Sequence, residues 1–475
     1  MAVSRMIKSK DSGKHSMKTS RFVWSFFFVF ACNAYAEPFM SGPMAFHPIA
    51  GSAYGHESHA DIDTAPFLLP AGFQQRVVSS ERELNIYAGS DMLDMNTVNE
   101  TGKHAGRYLY RTHEVRPGAF GDDKNSRRLD GGSGGALSVV DLHTGVAREL
   151  IGRADWEALD GLVWTPWQTL LFAEEVVSAK RADPDAPNAT SGLLYELKLR
   201  NGDPSKAESV SVRPMLGALS HEGIEVDAHG HVYVIDEIRN GSVYKFVPDR
   251  YGDLSSGQLH VLKVQNRAKT GAAQWVALDR AQARISAREA ARVQAATEYC
   301  RPEDIERIGE TLYVALTCED VDDPTNKNGP GAILAVNLGS KPAARYVVVP
   351  GNNVPVEGKP GIDSHGNPSA GVTGFKHPDN LASGPNGTLW IAEDNDWSDI
   401  WVYDPRSADV NGDGYRDGVY LFASLKDKPA EASGIYFGPD PHTLFVNVQH
   451  SGTGNDKTVA ITRQKNGPSG KQQGD

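Results

Sequence analysis

Asn386-Gly-Thr-Leu-Trp-Ile-Ala-Glu-Asp-Asn-Asp-Trp-Ser-Asp-Ile-Trp-Val-Tyr403 is the stretch whose reading decides the fold. Asn386-Gly387 is a turn signal, and Leu389 to Ala392 is a short apolar run of strand type. The chain then becomes abruptly acidic at Glu393, Asp394, Asp396 and Asp399 before a second strand, Ile400 to Tyr403. Packing explains such a cluster poorly, because carboxylates are rarely buried unless they are paired or bind a metal.

The same plan recurs along the chain. Arg107-Tyr-Leu-Tyr-Arg-Thr112 ends in His113-Glu114, Gln168-Thr-Leu-Leu-Phe-Ala173 in Glu174-Glu175, and Gly230-His-Val-Tyr-Val-Ile235 in Asp236-Glu237. Glu310-Thr-Leu-Tyr-Val-Ala-Leu-Thr317 ends in Cys318-Glu319-Asp320, and Thr443-Leu-Phe-Val-Asn-Val448 in Gln449-His450. A second apolar strand follows each polar end. With the quoted stretch this makes about six copies of strand, polar end, loop and strand. Repeated antiparallel units around an axis predict an all-β fold, a β-propeller of about six blades. If the polar end of each first strand faces the axis, these groups converge on one channel mouth.

The 475 residues, 40% hydrophobic and 23% charged, provide for a large core. We expect a signal peptide over 1–36, an extended segment over 37–70, the propeller over 71–465 and a disordered tail over 466–475. The signal peptide is read from the basic residues Lys8 to Arg21, the apolar run Phe22 to Ala31 and the Ala34-Tyr35-Ala36 cleavage pattern. Its apolar run is too short to span a bilayer, so no membrane span is expected. Removing those residues, which hold six Lys/Arg and one Asp, takes the formal net charge from −12 to about −17. Such acidity disfavours nucleic acid as a partner and suits divalent cations. Periplasmic or secreted localisation and a monomeric state are the expectations. In an oxidising compartment Cys300 and Cys318 could pair or could stay as buried thiols. The Ala-rich stretch from Trp275 to Glu298 predicts a helical insertion, with Ser286 and Glu289 as a capping box where a helix could restart.

Short polar motifs precede the repeated strands: His221-Glu222, Arg301-Pro302-Glu303, His377-Pro378-Asp379-Asn380 and Glu431-Ala-Ser-Gly434. Arg beside Glu suits an anion held next to a cation, or a structural ion pair. The acidic strand ends suit calcium or another hard cation, against ordinary solvated loop ends as the alternative. The candidate metal ligands are Glu114, Glu174, Glu175, Glu222, Glu303, Glu393, Asp394 and Asp379. A separate loop, Asp409, Asn411, Asp413 and Asp417, matches the start of a calcium-binding loop, but position twelve is Tyr420, so it is not a full EF-hand. No P-loop or dinucleotide fingerprint occurs. Gly131-Gly-Ser133-Gly-Gly135 has the letters of a nucleophile elbow without the strand before it, so no nucleophilic serine is assigned.

These motifs, in this order and together with Thr165-Pro166-Trp167, Tyr244-Lys-Phe246 and the helix entering Arg301, resemble the PhoX-type alkaline phosphatases over roughly residues 65–460. Those are secreted bacterial propeller enzymes. The resemblance implies a phosphate monoesterase with bound iron and calcium acting on a small phosphate ester. It implies Glu222 and Glu303 as metal ligands, Arg301 as the phosphate-binding arginine, and Glu174 or Glu175 in the calcium part of the cluster. Arg301, Glu303 and Glu222 are thus the candidate catalytic residues. Two features depart from the family. The family's iron-bridging cysteine falls in Leu159-Asp160-Gly161-Leu162-Val163-Trp164, where no cysteine stands and Asp160 could supply oxygen instead; and no twin arginine precedes the apolar run. A hard carboxylate in place of a soft thiolate favours calcium or magnesium over iron. A calcium-stabilised propeller that binds a ligand without catalysis, and a metal-dependent esterase or lactonase, are the competing readings.

Overall fold

Each repeat supplies two adjacent strands of an antiparallel sheet, and the strand that precedes the repeat completes its inner edge. In the computed structural model the quoted stretch forms Thr388–Glu393 and Asp399–Tyr403, the second and third strands of blade 5, between Pro378–Gly384 and Val419–Leu425. Blade 1 runs Leu93–Val98, Tyr108–His113, Ala136–Asp141 and Val146–Gly152. Blade 2 runs Leu159–Trp164, Thr169–Glu174, Leu194–Arg200 and Asp203–Val212. Blade 3 is Ile224–Val226, Val232–Ile235, Val243–Arg250 and Asp253–Val264. Blade 4 is Pro302–Ile308, Thr311–Leu316, Ala332–Asn337 and Ala343–Val348. Blade 6 has Glu431–Phe437, Thr443–Gln449 and Lys457–Arg463 from the end of the chain and Phe73–Ser80 from near its beginning. That shared blade closes the ring, with Val77 opposite Val459. The fold is a six-bladed β-propeller.

The structure describes residues 42–49, 51–53, 61–116, 128–130, 134–178, 183–356, 361–362, 368–369 and 374–464. The expected signal peptide, the expected tail and Gly131 to Ser133 lie outside them. Residues Pro38–Asp475 make one compact unit. Among the described residues no helix is long and apolar enough to cross a membrane.

The strands expected to face the axis are the second of each blade. The first strands, Leu93–Val98, Leu159–Trp164, Ile224–Val226, Pro302–Ile308, Pro378–Gly384 and Glu431–Phe437, lie against one another in turn and line it. They escape a search for alternating apolar residues because five of the six are bulged. Their registers slip between Leu93 and Asn96, Leu159 and Leu162, Pro302 and Ile305, Pro378 and Leu381, and Ser433 and Tyr436. A bulge bends the strand and re-aims a side chain, and here it recurs at the same end of the inner strand. The ring is tight. A Cβ on Gly161 would lie 1.7 Å from the Glu222 carbonyl oxygen, and one on Gly434, at φ +54°, 2.1 Å from that of Asp94.

Two other expectations change. The helix occupies Arg280–Val293, capped by Asp279, which accepts from the Gln282 N–H at 2.8 Å, and it breaks at Ser286. Trp275 lies instead in the strand Gly271–Ala277, which pairs with the outer strands of blades 3 and 4, so cross-strand pairing overrides helix propensity there. Described residues of the 37–70 segment pack onto blade 5. Phe46 packs edge-on to Phe422 and 6.2 Å from Trp390, and Phe67–Leu68 adds a fifth strand to blade 5.

Trp390, fully buried against Phe422 and Phe437, anchors blade 5. Trp390→Ala is expected to cost about 3–5 kcal/mol, read as a lowered urea midpoint. Gly161→Ala is expected to cost about 1–3 kcal/mol by overpacking the ring; an unchanged midpoint would show that the ring yields.

Candidate active site

The entries and first turns of the inner strands each bring one carboxylate to the same end of the axis: Asp94, Asp160, Glu222, Glu303, Asp379 and Glu431, one from every blade. The ends of the second strands add Glu114 from blade 1, Glu175 from blade 2, Asp394 from blade 5 and His450 from blade 6, because an antiparallel neighbour ends where the inner strand begins. With Arg116, Arg301, Asn395 and Asp396 these groups line a cavity of about 370 Å³. Four inner strands are entered through a residue at positive φ: Met92, Ala158, Arg301 and His377. That turn delivers the chain to the axis immediately before the carboxylate.

Burial raises the proton affinity of these carboxyls, and their neighbours raise it further. Asp94, Asp160, Glu175, Glu222, Glu303 and Glu431 are all held well above the ordinary range, by burial first and then by adjacent carboxylates. Asp379 is pushed up to about 7 by burial and by Asp394. Two trios have one ligand atom each within 4.8 Å of one another: Glu222, Glu303 and Asp379, and Asp379, Asp394 and Glu431. Asp160 Oδ1 is buried with no hydrogen-bond partner.

Two arginines answer part of this charge. Arg301 Nε lies 2.6 Å from Glu237 Oε1 and 2.9 Å from Glu303 Oε1, the latter an ion contact without hydrogen-bond alignment. Its backbone is fixed on both sides, since its N–H donates to the Ile238 carbonyl and its carbonyl accepts from Thr317 N–H. The preceding Cys300 is disulfide-bonded to Cys318 across blade 4, with Cα atoms 5.2 Å apart. The helix braces the neighbouring strand end through Arg288, which forks onto Asp236 at 2.6 and 2.7 Å. Arg116 is the second arginine, between Glu114 and Glu175.

Of the residues named from sequence, Glu114, Glu175, Glu222, Arg301, Glu303, Asp379 and Asp394 meet at this cavity. Glu174 and Glu393 do not. Glu174 is held within blade 2, where it accepts from the Glu157 and Leu193 N–H groups and the Tyr195 hydroxyl. Glu393 accepts from Lys376 N–H, Asn395 Nδ2 and Trp401 Nε1. Both are structural anchors whose next residue turns to the mouth. The Asp409 to Asp417 loop is exposed, and its carboxylates turn onto its own backbone, Asp409 accepting from Gly412 and Gly414 and Asp417 from Val410. It is not among the carboxylate groups close enough to share an ion. Sequence reasoning missed Asp94 and Arg116. The bulged entry to blade 1 offered only Met92-Leu93-Asp94, and Arg116 followed a strand end already assigned through Glu114. A larger open groove of about 530 Å³ between blades 2 and 3 holds the ion pair of Arg213 with Glu196 at 2.6 Å.

A family model for the alkaline phosphatase PhoX matches residues 161–452, more than half of the chain. The chain belongs to the PhoX alkaline phosphatase family. No curated protein sequence matches it. Among solved structures it is similar to Pseudomonas fluorescens PhoX in complex with vanadate, a transition state analogue. That likeness has 20% identity, 88% of this chain and 98% of that one covered, and a TM-score of 0.61. It shows a common propeller fold. Weaker likenesses include the gluconolactonase XC5397 from Xanthomonas campestris, at 13% identity, 90% and 96% coverage and TM-score 0.44.

The carboxyl of Asp379 gives the metal-free protein a defined pH response. Its proton affinity is raised by folding, so its contribution to stability is present below the unfolded carboxyl range and lost as pH rises through about 7. In chelator the melting temperature is therefore expected to fall between about pH 5 and about pH 9. Calcium should reverse that fall, by about 2.7 kcal/mol at a hundredfold excess over its dissociation constant. Equal melting temperatures at both pH values, with and without calcium, would contradict this.

Proposed function

We propose that this chain is an exported, cation-dependent phosphatase that hydrolyses phosphate esters at the axial cavity. The observation that carries the reading is the convergence of one carboxylate from every blade beside Arg301, in a chain of the PhoX family. The donors fit a hard cation. They are all oxygens, two trios are close enough to share an ion, and Asp160 Oδ1 is buried without a partner. Glu222, Glu303, Asp379, Asp394 and Glu431 would hold the ions. Bound there, hard dications supply positive charge and Lewis acidity to the oxygens of a phosphate.

The chain's own residues supply binding and orientation. Arg301 is gripped at Nε by Glu237 and Glu303, which leaves the fork of its Nη edge to take phosphate oxygens. Glu237 and Glu303 keep it charged, since their attraction outweighs the burial that acts against it. The Cys300–Cys318 disulfide and the backbone pairing of Arg301 hold that fork at one place on the wall. Three rigid supports reduce the freedom lost on binding. His450, half exposed at the rim with Nε2 3.5 Å from Glu431 Oε1, is the one imidazole of the lining among the described residues. The disulfide and the expected signal peptide support export to an oxidising compartment. Asp160 stands where the resemblance expects a bridging cysteine, and supports a calcium-type, iron-free site.

Purified protein is expected to hydrolyse a chromogenic phosphate monoester in calcium and to lose that activity in chelator. Arg301→Ala should lower kcat/KM by roughly 100- to 1,000-fold, the usual cost of losing one preorganised charge donor, with the melting temperature little changed. Turnover of carboxylate esters alone would favour an esterase, and no turnover with intact calcium binding would favour a binding protein. Elemental analysis of protein grown without added metal should show no iron; two irons per chain would end the iron-free assignment.

A further inference from the structure

One side of the cavity wall carries a fixed positive charge where the rest has room for a dissociable one. Glu114 and Glu175 directly follow the second strands of blades 1 and 2, with side chains only 15% and 14% exposed. Arg116 lies between them. Its Nε and Nη2 approach Glu114 Oε1 at 3.1 and 2.5 Å, its Nη2 also contacts Glu175 Oε2, and its Nη1 donates to the Glu175 carbonyl at 3.0 Å. The other oxygen of Glu114 accepts from Gln449 Nε2 at 3.0 Å. Glu114 is thus satisfied at both oxygens by groups of the chain itself.

The trios that could hold an ion lie elsewhere, around Asp379, and among the described residues neither includes Glu114 or Glu175. Burial works against the charge on Arg116, but Glu175 and Glu114 outweigh it, so the guanidinium stays charged. A guanidinium fills the electrostatic place of a dication between two carboxylates, yet it is covalently attached and cannot be removed by a chelator.

We propose that Arg116 is a resident cation of this site. It takes the place between Glu114 and Glu175 that a divalent ion would otherwise fill, and it confines the exchangeable ions to the side of Glu222, Glu303, Asp379, Asp394 and Glu431. The assignment rests on the cation-dependent reading of the cavity. It makes residue 116 the determinant of how many ions the chain holds, and it gives the blade 1 and blade 2 side charge without Lewis acidity.

The test is the number of calcium ions retained per chain after equilibrium dialysis, read by elemental analysis, for the full chain and two variants. Arg116→Gln frees both carboxylates and is expected to retain one calcium more than the unaltered chain. Glu175→Gln is expected to retain the same number, because Glu175 is held by an arginine and not by an ion. The assignment is overturned if Arg116→Gln gains none, or if Glu175→Gln loses one. Should Arg116→Gln fail to fold by circular dichroism, Glu175→Gln decides alone. An unaltered chain that retains no calcium removes the cation-dependent reading itself, an outcome distinct from equal numbers in chain and variants.

Discussion

Like charges at the axis are the constraint on which the rest of this propeller depends. Closing six blades into a ring brings the starts of six inner strands within reach of one another, and each start carries a carboxylate. At an effective dielectric of 20, two unit charges 4 Å apart repel by about 4 kcal/mol. Six of them cannot remain ionised there without positive charge between them. Protons, arginines and metal ions are the available remedies. The raised proton affinities of Asp94, Asp160, Glu222 and Glu431 express the first, Arg116 and Arg301 are the second, and the proposed ions are the third. What makes the arrangement tolerable is the ring itself. Its apolar sheets bury Trp390, Trp156 and their neighbours, and their packing supplies the free energy that holds the carboxylates together.

The repeat was legible because the second and third strands of each blade are long, apolar and regular, so their pattern survives in the letters. The inner strands were not, because a bulge near the start of five of them breaks the alternation that marks a strand. Four of them were still visible through the polar motifs that open them, from His221-Glu222 to Glu431. Parity was the hardest point. Glu174-Glu175 and Glu393-Asp394 are adjacent pairs, and neighbours on a strand face opposite sides. One member of each pair anchors the sheet through backbone N–H groups while the other reaches the mouth, and composition cannot tell them apart. The Asp409 to Asp417 loop has the spacing of a calcium loop, and its carboxylates also accept hydrogen bonds from its own backbone, as an Asx-rich turn does.

Arg301 shows how much scaffold a single charge requires. A long flexible side chain loses about 2 kcal/mol of rotamer freedom when fixed. Here that loss is met in advance by Glu237 and Glu303 at its Nε, by a disulfide at the preceding residue, and by backbone pairing with Ile238 and Thr317. The helical insertion contributes at one remove, because Arg288 fixes Asp236 and so the strand end from which Glu237 projects. The helix, which in the sequence leads straight into the Arg301 turn, is part of the frame around that arginine.

The two arginines divide the cavity into unlike halves. Arg301 is held on one edge, so its other edge can act on a ligand. Arg116 spends both edges on carboxylates and the Glu175 backbone, so it can only neutralise. Between them lies the concentration of oxygen donors around Asp379, the member shared by both candidate trios. On the proposed reading, positive charge fixed on one side and exchangeable on the other would set a direction across the cavity. A phosphate drawn toward Arg301 would then meet the side that holds the cations, and Arg116 would lower the repulsion on its way in. The same division follows from the donor chemistry. Among its described residues the wall offers carboxylate oxygens and the His450 imidazole but no thiolate, and such oxygens suit hard cations, so on the proposed reading charge and geometry carry the site's action on a phosphate.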